Sequence, residues 1–242
     1  MQVWIVSNVP GGTTMETMSR FVLLLSLALA APVVQAAEVA PDALLTAVTS
    51  EVIAAIRQNR EQADGPAKIA EVVEGKVLPL FDFSRMTQLA MARNWRLATS
   101  EQQILLTVEF RRLLVRTYSA ALTSYRDQKI EFKRVRAAPG DTDVTVKSEV
   151  RNGTERMSID YELVRTPAGW LVYDVKIDGV SLVTAYRESF ASKVRAEGVD
   201  GLIRALTEKN RQSGTESRPA NTTADRSRLM NGLVRSALRQ GG

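Results

Sequence analysis

At Gln128 the apolar pattern of this chain changes period. Upstream, apolar residues recur every third or fourth position; from Ile130 onward they recur every second one. A period of two marks strands with one apolar and one polar face. Ile130 and Phe132 alternate with charged neighbours, and after Pro139-Gly140, Val144, Val146 and Val150 alternate with Thr145, Lys147 and Glu149. Asn152 and Gly153 both tolerate positive φ and predict a tight hairpin. It leads into residues 156–165, where Met157, Ile159, Tyr161 and Leu163 oppose Ser158, Asp160 and Glu162. Pro167-Ala168-Gly169 turns the chain into a fourth strand, with Leu171, Tyr173, Val175 and Ile177 expected on one face. Strands of this kind need cover on one side only. The expectation is an α+β fold, a four-stranded antiparallel sheet covered on one face by helices.

The helices are legible on both sides of the sheet. Leu45, Val48, Val52 and Ile56 follow Pro41 at helical spacing, with Asp42 placed to cap the start. Ile69, Val72, Val73 and Val77 continue the pattern after Gly65-Pro66 as far as Pro79, and a short helix is expected over residues 86–92. Thr99-Ser100 followed by Gln102-Gln103 fits a capping box. It opens a long helix with Phe110, Leu114, Tyr118, Ala121, Leu122 and Tyr125 inward and Arg111, Arg112 and Arg116 on a solvated face. Beyond the sheet, Val183, Tyr186, Phe190 and Val194 form one helical stripe. Leu202, Ile203 and Leu206 form another after Gly198, with Asp200 as its cap.

Residues 21–34 (FVLLLSLALAAPVV), preceded by Arg20 and followed by Gln35-Ala36, read as a secretory signal peptide cleaved after Ala36. The apolar run is too short for the roughly 20 residues a spanning helix needs. A start at Met15 or Met18 fits the pattern better than one at Met1. The expected organisation is a signal peptide over 1–36, one domain over 37–210, and a disordered tail over 211–242 rich in Ser, Thr, Gly, Arg and Asn. Within that tail, residues 226–239 set Leu229, Leu233, Val234 and Leu238 among arginines, a stretch able to touch an anionic membrane surface, though a functionless extension is the plainer reading.

Several chemistries are excluded outright. The chain has no cysteine and no histidine, which removes disulfides, thiolate nucleophiles, Ser-His pairs and most transition-metal sites. The net charge of +5 sits in the tail: residues 37–210 carry 25 Lys+Arg against 24 Asp+Glu. A domain so nearly neutral lacks the footprint of nucleic-acid binding. Asp141-Thr142-Asp143-Val144-Thr145 matches the D-x-D-x-T element of aspartyl-phosphate phosphatases, but a turn precedes it where a buried strand is required, so loop shaping is the better reading. An isomerase of the NTF2-like kind would use an Asp base and a Tyr donor. Tyr173 with Asp174, or Tyr161 with Asp160, supply the residue types, yet neighbours on a strand face opposite ways. Asp178-Gly179 is a turn signal.

The segment Tyr173-Asp174-Val175-Lys176-Ile177-Asp178-Gly179-Val180-Ser181-Leu182-Val183-Thr184-Ala185-Tyr186-Arg187-Glu188-Ser189-Phe190 resembles the signature of the MlaC, or toluene-tolerance, family. Gly198-Val199-Asp200-Gly201-Leu202-Ile203-Arg204-Ala205-Leu206, Val77-Leu78-Pro79-Leu80-Phe81-Asp82-Phe83 and Asn94-Trp95-Arg96 extend the likeness over residues 44–210. The resemblance implies a periplasmic, non-enzymatic phospholipid carrier with no cofactor, whose sheet and helices enclose an apolar cavity for acyl chains. It also implies docking on an outer-membrane lipoprotein–porin complex and an inner-membrane ABC transporter complex with a lipid-binding hexamer, in the service of outer-membrane lipid asymmetry. Surface arginines such as Arg93, Arg96, Arg112 and Arg134 are candidates for docking patches. Burial at about 0.8 kcal/mol per CH₂ would let two acyl chains supply tens of kcal/mol gross. The expected lipid wall is Val144, Val146, Met157, Ile159, Tyr161, Leu163, Tyr173, Val175 and Ile177 from the sheet, with Tyr118, Leu122, Tyr186 and Phe190 opposite. Arg187 is placed to orient a headgroup phosphate or to pair with a carboxylate. Each inward residue serves plain core packing equally well, and an NTF2-like enzyme or small-ligand sensor is the competing reading.

Overall fold

Pro41 opens the first helix, α1 (Pro41–Asn59), because a residue without an N–H costs nothing at a first helical position. Asp42 does not cap it: Ala40 is the N-cap, and Asp42 lies inside the first turn, where its charge still complements the helix dipole. The computed structural model describes residues 39–123, 128–138 and 140–212, with side chains in the first stretch described as far as Tyr118. The signal segment, the Leu122 and Tyr125 side chains and the tail from residue 213 lie outside the described residues.

Helix α2 (Gly65–Val72) runs on through a π turn at Val73–Val77 and a 3-10 turn at Leu78–Leu80. Asp82 then caps α3 (Phe83–Met91) by accepting the Arg85 N–H at 2.9 Å. The capping box before α4 (Ser100–Thr123) is reciprocal. Thr99 N–H donates to Gln102 Oε1 at 3.0 Å, and Gln102 N–H donates to Thr99 Oγ1 at 3.2 Å. The two stripes expected after the sheet belong to α5 (Arg187–Gln212), bent at Gly198, whose φ of 71° suits glycine. Asp200 accepts Gln102 Nε2 at 2.7 Å and ties α5 to α4.

The sheet has five strands, not four: β1 (Lys129–Phe132), β2 (Asp143–Asn152), β3 (Glu155–Thr166), β4 (Gly169–Ile177) and β5 (Val180–Ser181). They pair in sequence order, each antiparallel to the next. The fifth escaped the pattern because two residues cannot display a period. Asp178 and Gly179 both adopt positive φ, 47° and 82°, and fold Val180 back onto Ile177.

A second correction concerns β4. Its register against β3 shifts between Glu162 and Leu163: Leu163 pairs with Val172 and Glu162 with Asp174, leaving Tyr173 as the extra residue of a bulge. The extra residue resets the alternation. Trp170, Val172 and Val175 pack in the sheet core with Val146 and Leu163, whereas Tyr173 faces away.

Three apolar clusters hold the fold. Leu106, Phe110, Leu113 and Leu114 of α4 meet α3 and Phe190, Val194, Leu202 and Leu206 of α5. The sheet's inner face packs on Leu44 and Leu45 of α1, on Phe81 and on Leu182. Val52 and Ile56 of α1 close against Ile69 and Val73. Among the described residues, Phe81 is the side chain common to the helical cluster and the sheet cluster. Its backbone forms a parallel bridge to Val172, and Asp82 N–H donates to Val172 O at 2.8 Å.

Candidate functional site

The inner face of the sheet presents a run of apolar side chains across its strands. Register aligns Val144 with Leu163, Val146 with Tyr161, Ser148 with Ile159 and Val150 with Met157, and sets Tyr161 beside Val175 and Ile159 beside Ile177. Val146 and Leu163 are fully buried, Val175 nearly so; Val144, Met157, Ile159, Tyr161 and Ile177 are half-buried. The rise in burial toward the strand centre follows from Leu45 and Phe81 packing there.

One polar spot interrupts the surface. Ser148 is buried, donates to Ile159 O at 3.0 Å, and hydrogen-bonds with the Tyr161 hydroxyl. Burial pushes the Tyr161 phenol up to about 12. Because the folded-state value lies above the ordinary tyrosine value of 10.0, this contribution to stability is complete below that value and is lost as pH climbs through about 12. In a phenolate absorbance titration, Tyr161→Phe is expected to remove a step near pH 12. Removal of a step at the ordinary tyrosine pH would show that the ring is hydrated.

The remaining expected wall residues are divided among other surroundings. Tyr118, Tyr186 and Phe190 belong to the helical cluster, with Phe110 edge-on to Tyr186 and to Phe190 at 5.2 Å between ring centroids. Burial, then the neighbouring Tyr186, raises Tyr118 far above an ordinary phenol. Leu122 has no described side chain. Arg187 is exposed, and its Nε and Nη2 donate to Leu89 O at 3.3 and 3.1 Å, fastening α5 to α3. Tyr173, on the outer side of the bulge, lies under the Arg85 guanidinium at 3.8 Å. Arg85 Nη2 also bonds Asp143 Oδ1 at 2.7 Å. The Thr142 hydroxyl, and then Arg85, hold the Asp143 carboxyl below the usual carboxylate range.

The aspartates of the D-x-D-x-T element thus serve the loop and its anchoring, since Asp141 Oδ2 accepts the Ala138 N–H at 2.7 Å. Asp174 is the buried carboxylate an isomerase reading would ask for, and burial raises it above the ordinary range. Its oxygens are already engaged. They accept the Val175 N–H at 2.8 Å and bonds from the Ser181 hydroxyl and the Val183 N–H, while Ser181 Oγ accepts the Thr184 N–H at 2.9 Å. Asp174 therefore shapes the turn from β5 into Thr184–Tyr186, and Tyr173 does not share its surroundings.

Between α4 and α5 lies a hollow of about 100 Å³, lined by Leu113, Phe190, Leu202 and Leu206 with Lys193 and Lys209 among its other residues. Pockets for drug-sized ligands run to roughly 300–1,000 Å³, so this one is too small for a lipid. Sequence reasoning missed Leu44, Leu45, Phe81, Val172 and Leu182 as companions of the inner face. Val172 was hidden by the bulge, and Phe81 by a segment too short for any period.

Comparison with known proteins places this geometry. The family model described as "MlaC protein" matches residues 46–208. The toluene tolerance protein ttg2D of Pseudomonas putida is 26% identical over 180 residues, 73% of this chain and 83% of that protein. The intermembrane phospholipid transport system binding protein MlaC of Haemophilus influenzae is 20% identical over 181 residues, 73% of this chain and 85% of that protein. The crystal structure of a phospholipid-binding protein from Ralstonia solanacearum, in complex with a phospholipid, superposes with a TM-score of 0.64 at 38% identity, covering 72% of this chain and 98% of that one.

Proposed function

The chain belongs to the MlaC family, and on that premise we propose that it is a periplasmic phospholipid carrier. The observation that carries the reading is the phospholipid held by a protein 38% identical to this one and matched over 98% of its length. Here the inner face of the sheet offers the chemistry such cargo needs: apolar side chains from three strands, a hydroxyl pair at Ser148 and Tyr161, and a cation at one end, Arg165, over the Trp170 ring at 4.7 Å. Acyl chains are held by area, at about 0.8 kcal/mol per buried CH₂. Room for them requires the sheet and the helical cluster to part beside Phe81, with Val144, Val146, Met157, Ile159, Tyr161, Leu163, Val175 and Ile177 on one wall and Tyr118, Tyr186 and Phe190 toward the other.

The carrier acts as the mature chain from Ala37, delivered by the signal peptide, with residues 37–210 as its lipid-binding domain. It exchanges cargo with an outer-membrane lipoprotein–porin complex and an inner-membrane ABC transporter complex bearing a lipid-binding hexamer, and so maintains outer-membrane lipid asymmetry. It carries out no catalysis and needs no cofactor besides its cargo. Among the described residues no helix is long and apolar enough to cross a membrane.

Native mass spectrometry of the mature protein purified from bacterial periplasm tests the proposal. A stoichiometric adduct of phospholipid mass is expected, identifiable after lipid extraction. A protein that is apo, and stays apo after incubation with liposomes, would overturn it and favour a small-ligand pocket.

A further inference from the structure

Helix α4 carries apolar residues on the wrong side. At 3.6 residues per turn, Leu106, Phe110, Leu113 and Leu114 share the buried face, and the opposite face collects Ile104, Leu105 and Val108. These three are 65%, 44% and 40% exposed, and Leu97, in the turn leading into the helix, is 65% exposed. Isolated exposed aliphatics need no explanation, but adjacent ones on a single stripe do. Gln103 Nε2 donates to Trp95 O at 3.1 Å and to Ala98 O at 3.3 Å, which holds that turn beside the start of α4.

The charges around the stripe have one prevailing sign. Arg111 and Arg112 continue it toward the C-terminus of α4, and Arg93 and Arg96 are exposed on the adjoining turn; Glu101 is the acidic residue on the stripe itself. Arg112 bonds Glu109 at 2.7 Å, but Glu109 is buried on the flank of α4, where it also accepts Asn210 Nδ2, and the Arg112 side chain stays 64% exposed. Aliphatic side chains ringed by guanidinium groups match an anionic bilayer: the first enter the headgroup boundary and the second reach lipid phosphates. Protein partners are anchored most often by Trp, Tyr and Arg; the apolar residues of the stripe are aliphatic, with no aromatic ring among them.

We propose that the outer face of α4, centred on Ile104 and Val108 and flanked by Arg93, Arg96, Arg111 and Arg112, docks the protein reversibly on anionic phospholipid bilayers. This contact is separate from cargo binding. The sheet's inner face takes acyl chains, whereas α4 rests on the surface of an intact membrane.

The test is co-flotation of the full mature chain with vesicles of phosphatidylethanolamine and phosphatidylglycerol, against vesicles of phosphatidylcholine alone. Wild type is expected to float with the anionic vesicles and to be released by salt. Ile104→Ser with Val108→Ser is expected to weaken flotation about tenfold with an unchanged thermal melt and unchanged phospholipid adduct. Arg111→Gln with Arg112→Gln is expected to flatten the salt dependence. The arginines beyond Gln212 are common to all these proteins, so the differences report on α4. Equal flotation of wild type and the Ile104/Val108 double variant, or no preference of wild type for anionic vesicles, would overturn the proposal. So would unchanged flotation with lost co-purification of an inner-membrane protein, which would give the face to that protein. Loss of the lipid adduct with flotation intact would count against the carrier reading and leave this one standing.

Discussion

Replacing Phe110 with alanine is expected to destabilise the domain by about 3–5 kcal/mol, the upper range for truncating a buried aromatic. The ring is fully buried and sits edge-on to both Tyr186 and Phe190, so its removal opens a cavity and breaks two aromatic contacts at once. Neither partner can slide in to fill the space, because Arg187 and Asp200 fasten α5 to α3 and α4 on either side. For a domain of this size the melting temperature should fall by roughly 6–20 °C. Phe110→Leu, which keeps most of the volume, should lose well under half as much. Calorimetry of the two variants decides the matter: similar losses would mean that the aromatic contacts, removed in both, outweigh the cavity.

Ile159→Trp is expected to abolish the phospholipid adduct while leaving the fold in place. Ile159 lies half-buried on the inner face between Ser148 and Ile177, where an indole would occupy space the proposed cargo needs. Overpacking of this kind costs about 1–3 kcal/mol, which the domain should survive. Lys147→Ala, on the outer face of the adjoining strand, is the matched control and should keep its lipid. If native mass spectra of Ile159→Trp retain a full adduct and the control does too, acyl chains do not run over this part of the sheet.

Most of the architecture is legible from spacing alone. Helical periods locate α1 through α5, the reciprocal bonds of Thr99 and Gln102 are written in their spacing, and Asn152-Gly153 announces the central hairpin, although the turn falls one residue later: Asn152 pairs with Glu155, and the positive φ, 61°, is that of Gly153. The inner face of β2 and β3 is equally readable, since every second residue from Val144 and from Met157 points the same way. The misreadings share a physical cause: each depends on one residue breaking a count. Tyr173 is an insertion in the ladder, so β4 reads correctly from Val175 onward and wrongly before it. The bond from Arg187 to Leu89 O could not be read in advance either, because nothing in the sequence announces that this distant carbonyl will be left for it at the end of α3. The unexpected solvent side of α4 has a similar origin, for its three apolar residues blend into a run that is apolar on both faces.

The sharing of Phe81 between two otherwise separate clusters has a thermal consequence. Parting the sheet from the helices there leaves the strand ladder and the turns of α4 and α5 whole; the polar ties that cross at this point are the Asp82 N–H to Val172 O bond and the Arg85–Asp143 pair. The work of separation is therefore chiefly the hydration of hydrocarbon. Hydration of that kind carries a large positive heat capacity and weakens as a cohesive force in the cold. Cooling should loosen this junction before it loosens either half.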